Sequence, residues 1–226
     1  MGRGSEERTR RVLWARMYNG AMKSTDAVTG VLLAGGQSRR LGRDKAVEPF
    51  MGEPLMARVA ARLSQVCSQL VVVVAEESRA RELPIPAGAK VVTDAYPGKG
   101  SLGGIYSGIH ASSSQWVVVT ACDMPFLNVR LFEHMLSLRP GHDVVAPVVE
   151  GRPEPTHAAY SKACLAAIRA RLERDQLKIT GFFDDVRVRY VPEDEVKRFD
   201  PELLTFFNVN NQEDLDRALA LAREGR

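Results

Sequence analysis

The chain has 226 residues, 45% of them hydrophobic and 26% charged, which excludes a wholly disordered polymer and suits an α/β unit with a proper core. Its net charge of +3 sits at the front: residues 1–30 hold six cations and three acids, and 25 of each sign remain in the rest. A near-neutral body argues against a broad nucleic-acid-binding face, and the longest aliphatic run, residues 70–75, is too short to span a bilayer.

Residues 1–26 are polar and basic and lack the apolar core of a secretory signal, so a mobile tail is expected there. Translation is expected to begin at Met17 or Met22, because regular patterning starts only at Ala27. From Ala27 to the end, residues 27–226, a single domain is expected. Val28–Leu33 reads as a strand ending in Ala34-Gly35-Gly36. Residues 54–66 read as a helix with Pro54 in its first turn and Leu55, Val59, Leu63 and Val66 on one face. Residues 70–75 form an apolar run that suits a strand buried on both faces. Lys90–Thr93 is a short strand, residues 102–112 a helix after a glycine-rich turn, Trp116–Ala121 a second buried strand and residues 129–138 a helix capped by Asn128.

Beyond Pro140 come a strand at Val144–Val149, a Gly/Pro turn, a strand at 157–160 and a helix over 162–174. Residues 186–191 alternate, which suggests an edge or antiparallel strand, and 207–209 is a short extended piece. Asn211 then caps a last helix, with Asp214 three residues on. This alternation predicts an α/β fold: three layers around a doubly wound, mostly parallel, Rossmann-like sheet, with some antiparallel strands in its second half. The three cysteines, Cys67, Cys122 and Cys164, show no ligand spacing and read as reduced thiols of a cytoplasmic protein.

In such sheets ligands bind beyond the C-terminal strand ends. Three polar segments lie there. Residues 33–45, LAGGQSRRLGRDK, combine glycines with Arg39, Arg40, Arg43 and Lys45. Backbone N–H groups plus cations suit a polyphosphate, although a solvated basic loop with structural glycines reads equally well from this stretch alone. Neither the GxGxxG spacing, which Gln37 breaks, nor the Walker A spacing, where Arg40 or Leu41 stands, is met. Asp123, after a strand and before Met124-Pro125, suits a hard cation such as Mg²⁺, the alternative being a turn or N-cap aspartate. Asp94 fits either a ribose contact or an Asx turn. Of the four histidines only His157 is placed near a site. The cationic helix pair Arg58 and Arg62 reads as solvated surface.

These residues resemble the molybdenum cofactor guanylyltransferases, nucleotidyltransferases of the nucleotide-diphospho-sugar transferase type. Residues 33–45 match the family pattern LAGGxSxRxGxDK, CDxP is Cys122-Asp123-Met124-Pro125, and FxNVN is Phe206 to Asn210 with Glu213-Asp214 following. The resemblance implies that Leu33, Ala34, Gly35 and Gly36 hold a nucleotide by backbone groups, with Asp94 and Asp123 also contacting it. It implies Lys45 and Arg40 on the phosphates, Asp123 on Mg²⁺, and Asn208, Asn210 and His157 on the acceptor side. The implied reaction transfers GMP from GTP to molybdenum-bearing molybdopterin, in the cytoplasm. The implied partners are those substrates and cofactor-delivery proteins, with no nucleic acid or membrane, the chain being a monomer or weak homo-oligomer. Two departures stand out: 74–76 reads Val-Ala-Glu where relatives often carry an asparagine, and Ser101 replaces the proline of GPLGG. A sister transferase using CTP or a small phospho-acid acceptor, a non-catalytic nucleotide-binding regulator, and a dinucleotide oxidoreductase are the rival readings, the last disfavoured by the failed GxGxxG.

Overall fold

The structure, a computed structural model, describes residues 27–35 and 44–225. The expected N-terminal tail and alternative start therefore lie outside the described residues, as do Gly36 and Arg40. β1 (Val28–Leu33) is followed by a 3-10 turn (Lys45–Val47), a hairpin of β2 (Pro49–Phe50) and β3 (Glu53–Pro54), and α1 (Leu55–Leu63). Then come β4 (Gln69–Val74), α2 (Glu77–Ala80), β5 (Lys90–Thr93), α3 (Gly100–Ala111), β6 (Trp116–Ala121) and α4 (Val129–Ser137). The second half runs β7 (Val144–Val149), β8 (Arg152–Pro153), β9 (His157–Ser161), α5 (Cys164–Glu173), a 3-10 segment (Ile179–Asp185), β10 (Val188–Val191), α6 (Glu193–Val196), a 3-10 turn (Leu204–Phe206) and α7 (Gln212–Arg223).

The main sheet has the order β10-β7-β9-β6-β1-β4-β5, with β8 paired to β7. All neighbours on the β6-β1-β4-β5 side are parallel, and β9 runs antiparallel to both β6 and β7. The chain leaves β1 toward β4 and β5 and returns to β6 on the other side of β1. That reversal creates the crevice in which open α/β sheets bind ligands.

Alternation along the strands splits the core in two. Leu32, Val72, Val74 and Val118 pack under α1 and α4, with Met56, Val59, Leu63, Leu131 and Phe132. Val31, Val71, Val73, Val117 and Val119 face α3 and α5, with Leu102, Ile105, Ile109 and Ile168. A smaller cluster seats Leu215 and Ala218 of α7 on Phe50, Leu55, Phe126 and Val209. The α7 N-terminus carries the expected capping box between Asn211 and Asp214.

Helix α3 approaches β1 closely because it presents glycines. A Cβ built on Gly108 would stand 2.3 Å from Cγ1 of fully buried Val31. Val31 is β-branched and packed between β-strand and helix on the α3 face of the sheet, so it has little room to give way. Gly108→Ala is expected to lower unfolding stability by about 1–3 kcal/mol through overpacking, measured by urea denaturation. Stability at the wild-type level would mean that α3 can slide away from β1.

Two expectations need correction and a third is refined. Pro54 stands at the N-cap of α1, in extended conformation (φ −61°, ψ 140°), because it closes the β2–β3 hairpin before the helix begins. The 186–191 stretch gives an edge strand, the first of its two readings, and that strand runs parallel to β7, since alternation reports one exposed face and not strand direction. Residues 207–209 form no ladder: the Val209 N–H donates a single bond, 2.9 Å, to the Asp123 carbonyl.

Candidate active site

Beyond the C-terminal ends of β1, β4, β5 and β6 lies a cavity of about 470 Å³. Its walls include Leu33, Gly35, Lys45, Asp94, Gly104 and Asp123. The strand ends are fixed by backbone bonds that continue the ladders: Ala34 N–H to Val73 C=O (2.8 Å), Asp94 N–H to Val74 C=O (2.8 Å) and Cys122 N–H to Leu33 C=O (3.2 Å). Gly35 lines the cavity, and a Cβ there would stand 3.4 Å from the Ala75 nitrogen, an ordinary contact. The β5–α3 loop turns through Gly98 and Gly100 at φ of 80° and 63°, values that favour glycine. A second depression of about 560 Å³, near Arg62, Asn128 and Leu204, holds none of the sequence-predicted phosphate-binding residues.

Lys45 is presented by its 3-10 turn. Asp44 caps that turn, accepting from Ala46 N–H at 3.0 Å. Asp44 is in turn gripped by Arg79 of α2 at 2.5 Å, a partner that nothing in the sequence signalled. From this mount the Lys45 Nζ donates to Asp123 Oδ2 at 3.3 Å and to Asn210 Oδ1 at 2.9 Å. Asp123 and Asn210 are far apart in the sequence and are tied together by the Val209–Asp123 backbone bond.

The other Asp123 oxygen, Oδ1, is buried without a hydrogen-bond partner among the described residues. Burial pushes the Asp123 carboxyl above the usual range, and Lys45 opposes that rise. An orphaned carboxylate oxygen on a residue of the cavity wall is what a divalent cation would satisfy. No group of three or more His, Cys, Asp or Glu that could hold a metal lies at this site or elsewhere among the described residues, so further ligands would be water and substrate phosphate, which fits Mg²⁺ habits. The neighbouring Cys122 thiol is pushed up to about 12 by burial and by Asp123, which makes it unreactive.

Asp94 lines the cavity, yet its Oδ1 is engaged: it accepts from Tyr96 N–H (3.0 Å) and lies 2.8 Å from the Ser107 hydroxyl. The Asx-turn alternative is thus present alongside its position at the cavity wall. Asn208 turns its amide to Phe206 C=O (3.2 Å) and does not join the Lys45 group. Arg58 and Arg62, expected as solvated surface, fold back onto the Asp123 turn instead. Arg58 Nε donates to Pro125 C=O (3.1 Å) and Arg62 Nη1 to Leu127 C=O (3.0 Å).

His157, expected on the acceptor side, is a core residue. It is fully buried, its ring 4.4 Å from Phe132 and 5.0 Å from Phe206, and its Nε2 pairs with Thr205 Oγ1 at 3.1 Å. As the first residue of β9 it points inward, opposite Thr120, and lines neither of the two cavities described above. Burial pushes its pKa down to about 3 from 6.5. Folding therefore requires a neutral ring, so its contribution is intact above pH 6.5 and is lost as pH falls toward 3. Acidification to about pH 5 is expected to remove about 2 kcal/mol through this residue. The check is urea denaturation at both pH values: a His157→Asn variant, weaker at pH 8, should show a smaller pH-dependent loss. Equal losses would mean that His157 already protonates in the folded state.

The fold, the cavity at its switch point and a family match over residues 30–186 together define the class: this is a nucleotidyltransferase on a Rossmann-like sheet. The MobA-like NTP transferase domain matches residues 30–186, and the chain belongs to that family. A probable molybdenum cofactor guanylyltransferase of Pelotomaculum thermopropionicum is 35% identical over 198 residues, covering 88% of this chain and 95% of its own. A molybdenum cofactor guanylyltransferase of Desulfosudis oleivorans is 34% identical over 206 residues, covering 89% and 98%. Among solved structures, molybdopterin-guanine dinucleotide biosynthesis protein A of Archaeoglobus fulgidus superposes with a TM-score of 0.77 at 29% identity, covering 87% of this chain and 99% of that one. No helix among the described residues is long and apolar enough to cross a membrane.

Proposed function

We propose that this chain transfers GMP from GTP to the terminal phosphate of molybdenum-bearing molybdopterin, giving molybdopterin guanine dinucleotide and pyrophosphate. The observation that carries the reading is the meeting of Lys45 and Asp123 at the wall of the cavity on the sheet's switch point, with Asn210 bonded to the same lysine. Relatives covering most of both chains bear the guanylyltransferase name.

The acceptor phosphate is already an anion, so no general base is needed. Its oxygen forms a bond to the α-phosphorus of GTP as the bond to the β-phosphate oxygen breaks, and pyrophosphate leaves with that electron pair. What the protein supplies is alignment and charge compensation. In this reading Leu33, Ala34, Gly35 and Gly36 hold the nucleotide by backbone groups, with Asp94 at the cavity wall. Lys45 and Arg40 compensate charge on the phosphates. Asp123 holds Mg²⁺, which neutralises phosphate charge when bound. Asn210 keeps Lys45 in place and, with Asn208, faces the acceptor side. Cofactor-delivery proteins as partners, a monomeric or weakly associating state and a cytoplasmic setting belong to the same reading.

Pyrophosphate release from each of the four NTPs, with and without molybdopterin, tests it. Release with GTP that depends on the acceptor is the expected result. Preference for CTP would overturn the base assignment, and release independent of molybdopterin would overturn the acceptor.

A further inference from the structure

We infer that Arg58 and Arg62 are positioning residues that hang the Asp123 turn from helix α1 and so set its distance to Lys45. After β6 the chain turns through residues 123–127, and three of its carbonyls are held from outside. Asp123 C=O accepts from Val209 N–H (2.9 Å), Pro125 C=O from Arg58 Nε (3.1 Å), and Leu127 C=O from Arg62 Nη1 (3.0 Å). Helix α1 also holds the Lys45 side of the cavity: Leu55 N–H donates to Glu48 C=O at 2.9 Å, directly after the 3-10 turn. One helix thus carries both the lysine and the carboxylate turn.

Two guanidinium groups four residues apart on one helix face repel each other. Burial, and after it the charge of Arg58, lowers the Arg62 pKa. The acid beside the pair is Glu53, 3.7 Å from Arg58 Nη1. Arg58 further lies over the Phe50 ring at 5.1 Å. Side chains this long could extend into water and escape the repulsion. Both instead bend toward backbone carbonyls of the turn that carries Asp123.

The part of this inference that concerns metal rests on the guanylyltransferase reading; the part that concerns the turn does not. The test uses full-length Arg58→Gln, Arg58→Lys and Arg62→Gln. Arg58→Lys keeps the charge, covering the case in which Arg58→Gln does not fold. In ligand-free protein, hydrogen exchange at the Val209 amide should quicken in all three, because its acceptor is the Asp123 carbonyl. In pyrophosphate release, Arg58→Gln should lower kcat about tenfold and raise half-saturating Mg²⁺ severalfold, with KM for GTP nearly unchanged, because the nucleotide cradle stands on other elements. Arg58→Lys should fall between. Wild-type Val209 exchange in folded variants overturns the inference whatever the substrate proves to be. A lowered melting temperature with unchanged kcat and Mg²⁺ requirement overturns the functional part, reducing the pair to ordinary scaffolding.

Discussion

Asp123→Ala is expected to cut turnover by at least about a hundredfold while leaving the melting temperature unchanged or slightly raised. The two halves of that result have one cause. The carboxylate side chain is 18% exposed, with Oδ1 buried and unpartnered and Lys45 Nζ 3.3 Å from Oδ2. Its pKa is raised by burial, with Lys45 only partly offsetting that penalty. A carboxyl whose pKa is higher in the folded state weakens the fold once pH exceeds its unfolded value, so removing it at neutral pH forfeits no net stability. What it forfeits is the cation and the alignment of the α-phosphate. Turnover in saturating Mg²⁺ and a thermal melt on the same preparation decide the matter. Near-wild-type turnover would take Asp123 out of the metal role. A collapsed melting temperature would show that the carboxylate is a structural partner of Lys45 and not a group held in readiness.

The parts of this architecture that repeat were readable in the sequence. Apolar runs at β1, β4 and β6 announce strands buried on both faces, and they set the switch point where the site sits. Asn128 and Asn211 announce helix starts because a side-chain cap is a local bond. The β2–β3 hairpin escaped because two-residue strands are too short to show a period. His157 escaped because a histidine at a strand's first residue can face either way, and only the rings of Phe132 and Phe206 decide it. The arginines escaped for a different reason. A guanidinium on a predicted helix face has no pattern that distinguishes water from a carbonyl of another element, so Arg58 on Pro125 and Arg79 on Asp44 were invisible. Asn210 came to attention only through the family likeness, since no local rule links it to Lys45 across 165 residues.

Lys45→Met should lower kcat/KM for GTP about a hundredfold, acting on both constants, and should also move the acid limb of the pH profile to higher pH. Methionine preserves the length of the stem and removes the ammonium. The bond to Asp123 and the bond to Asn210 disappear together. Binding weakens because the phosphates lose a cation, and the chemical step slows because the same charge is absent as pyrophosphate departs. The pH effect follows from the neighbour. Lys45 is the group that pulls the Asp123 pKa down against burial. Without it the carboxyl rises further and holds its proton to higher pH, so the metal-binding form appears later on an upward titration. Lys45→Arg, which keeps the charge on a longer and planar head, should restore the acid limb more fully than the rate, since geometry matters to the phosphates more than to Asp123. The measurement is kcat/KM for GTP from pH 5 to 9 at saturating Mg²⁺. An unshifted acid limb in Lys45→Met would mean that Asp123 does not govern it, and unchanged GTP kinetics would remove Lys45 from the phosphates altogether.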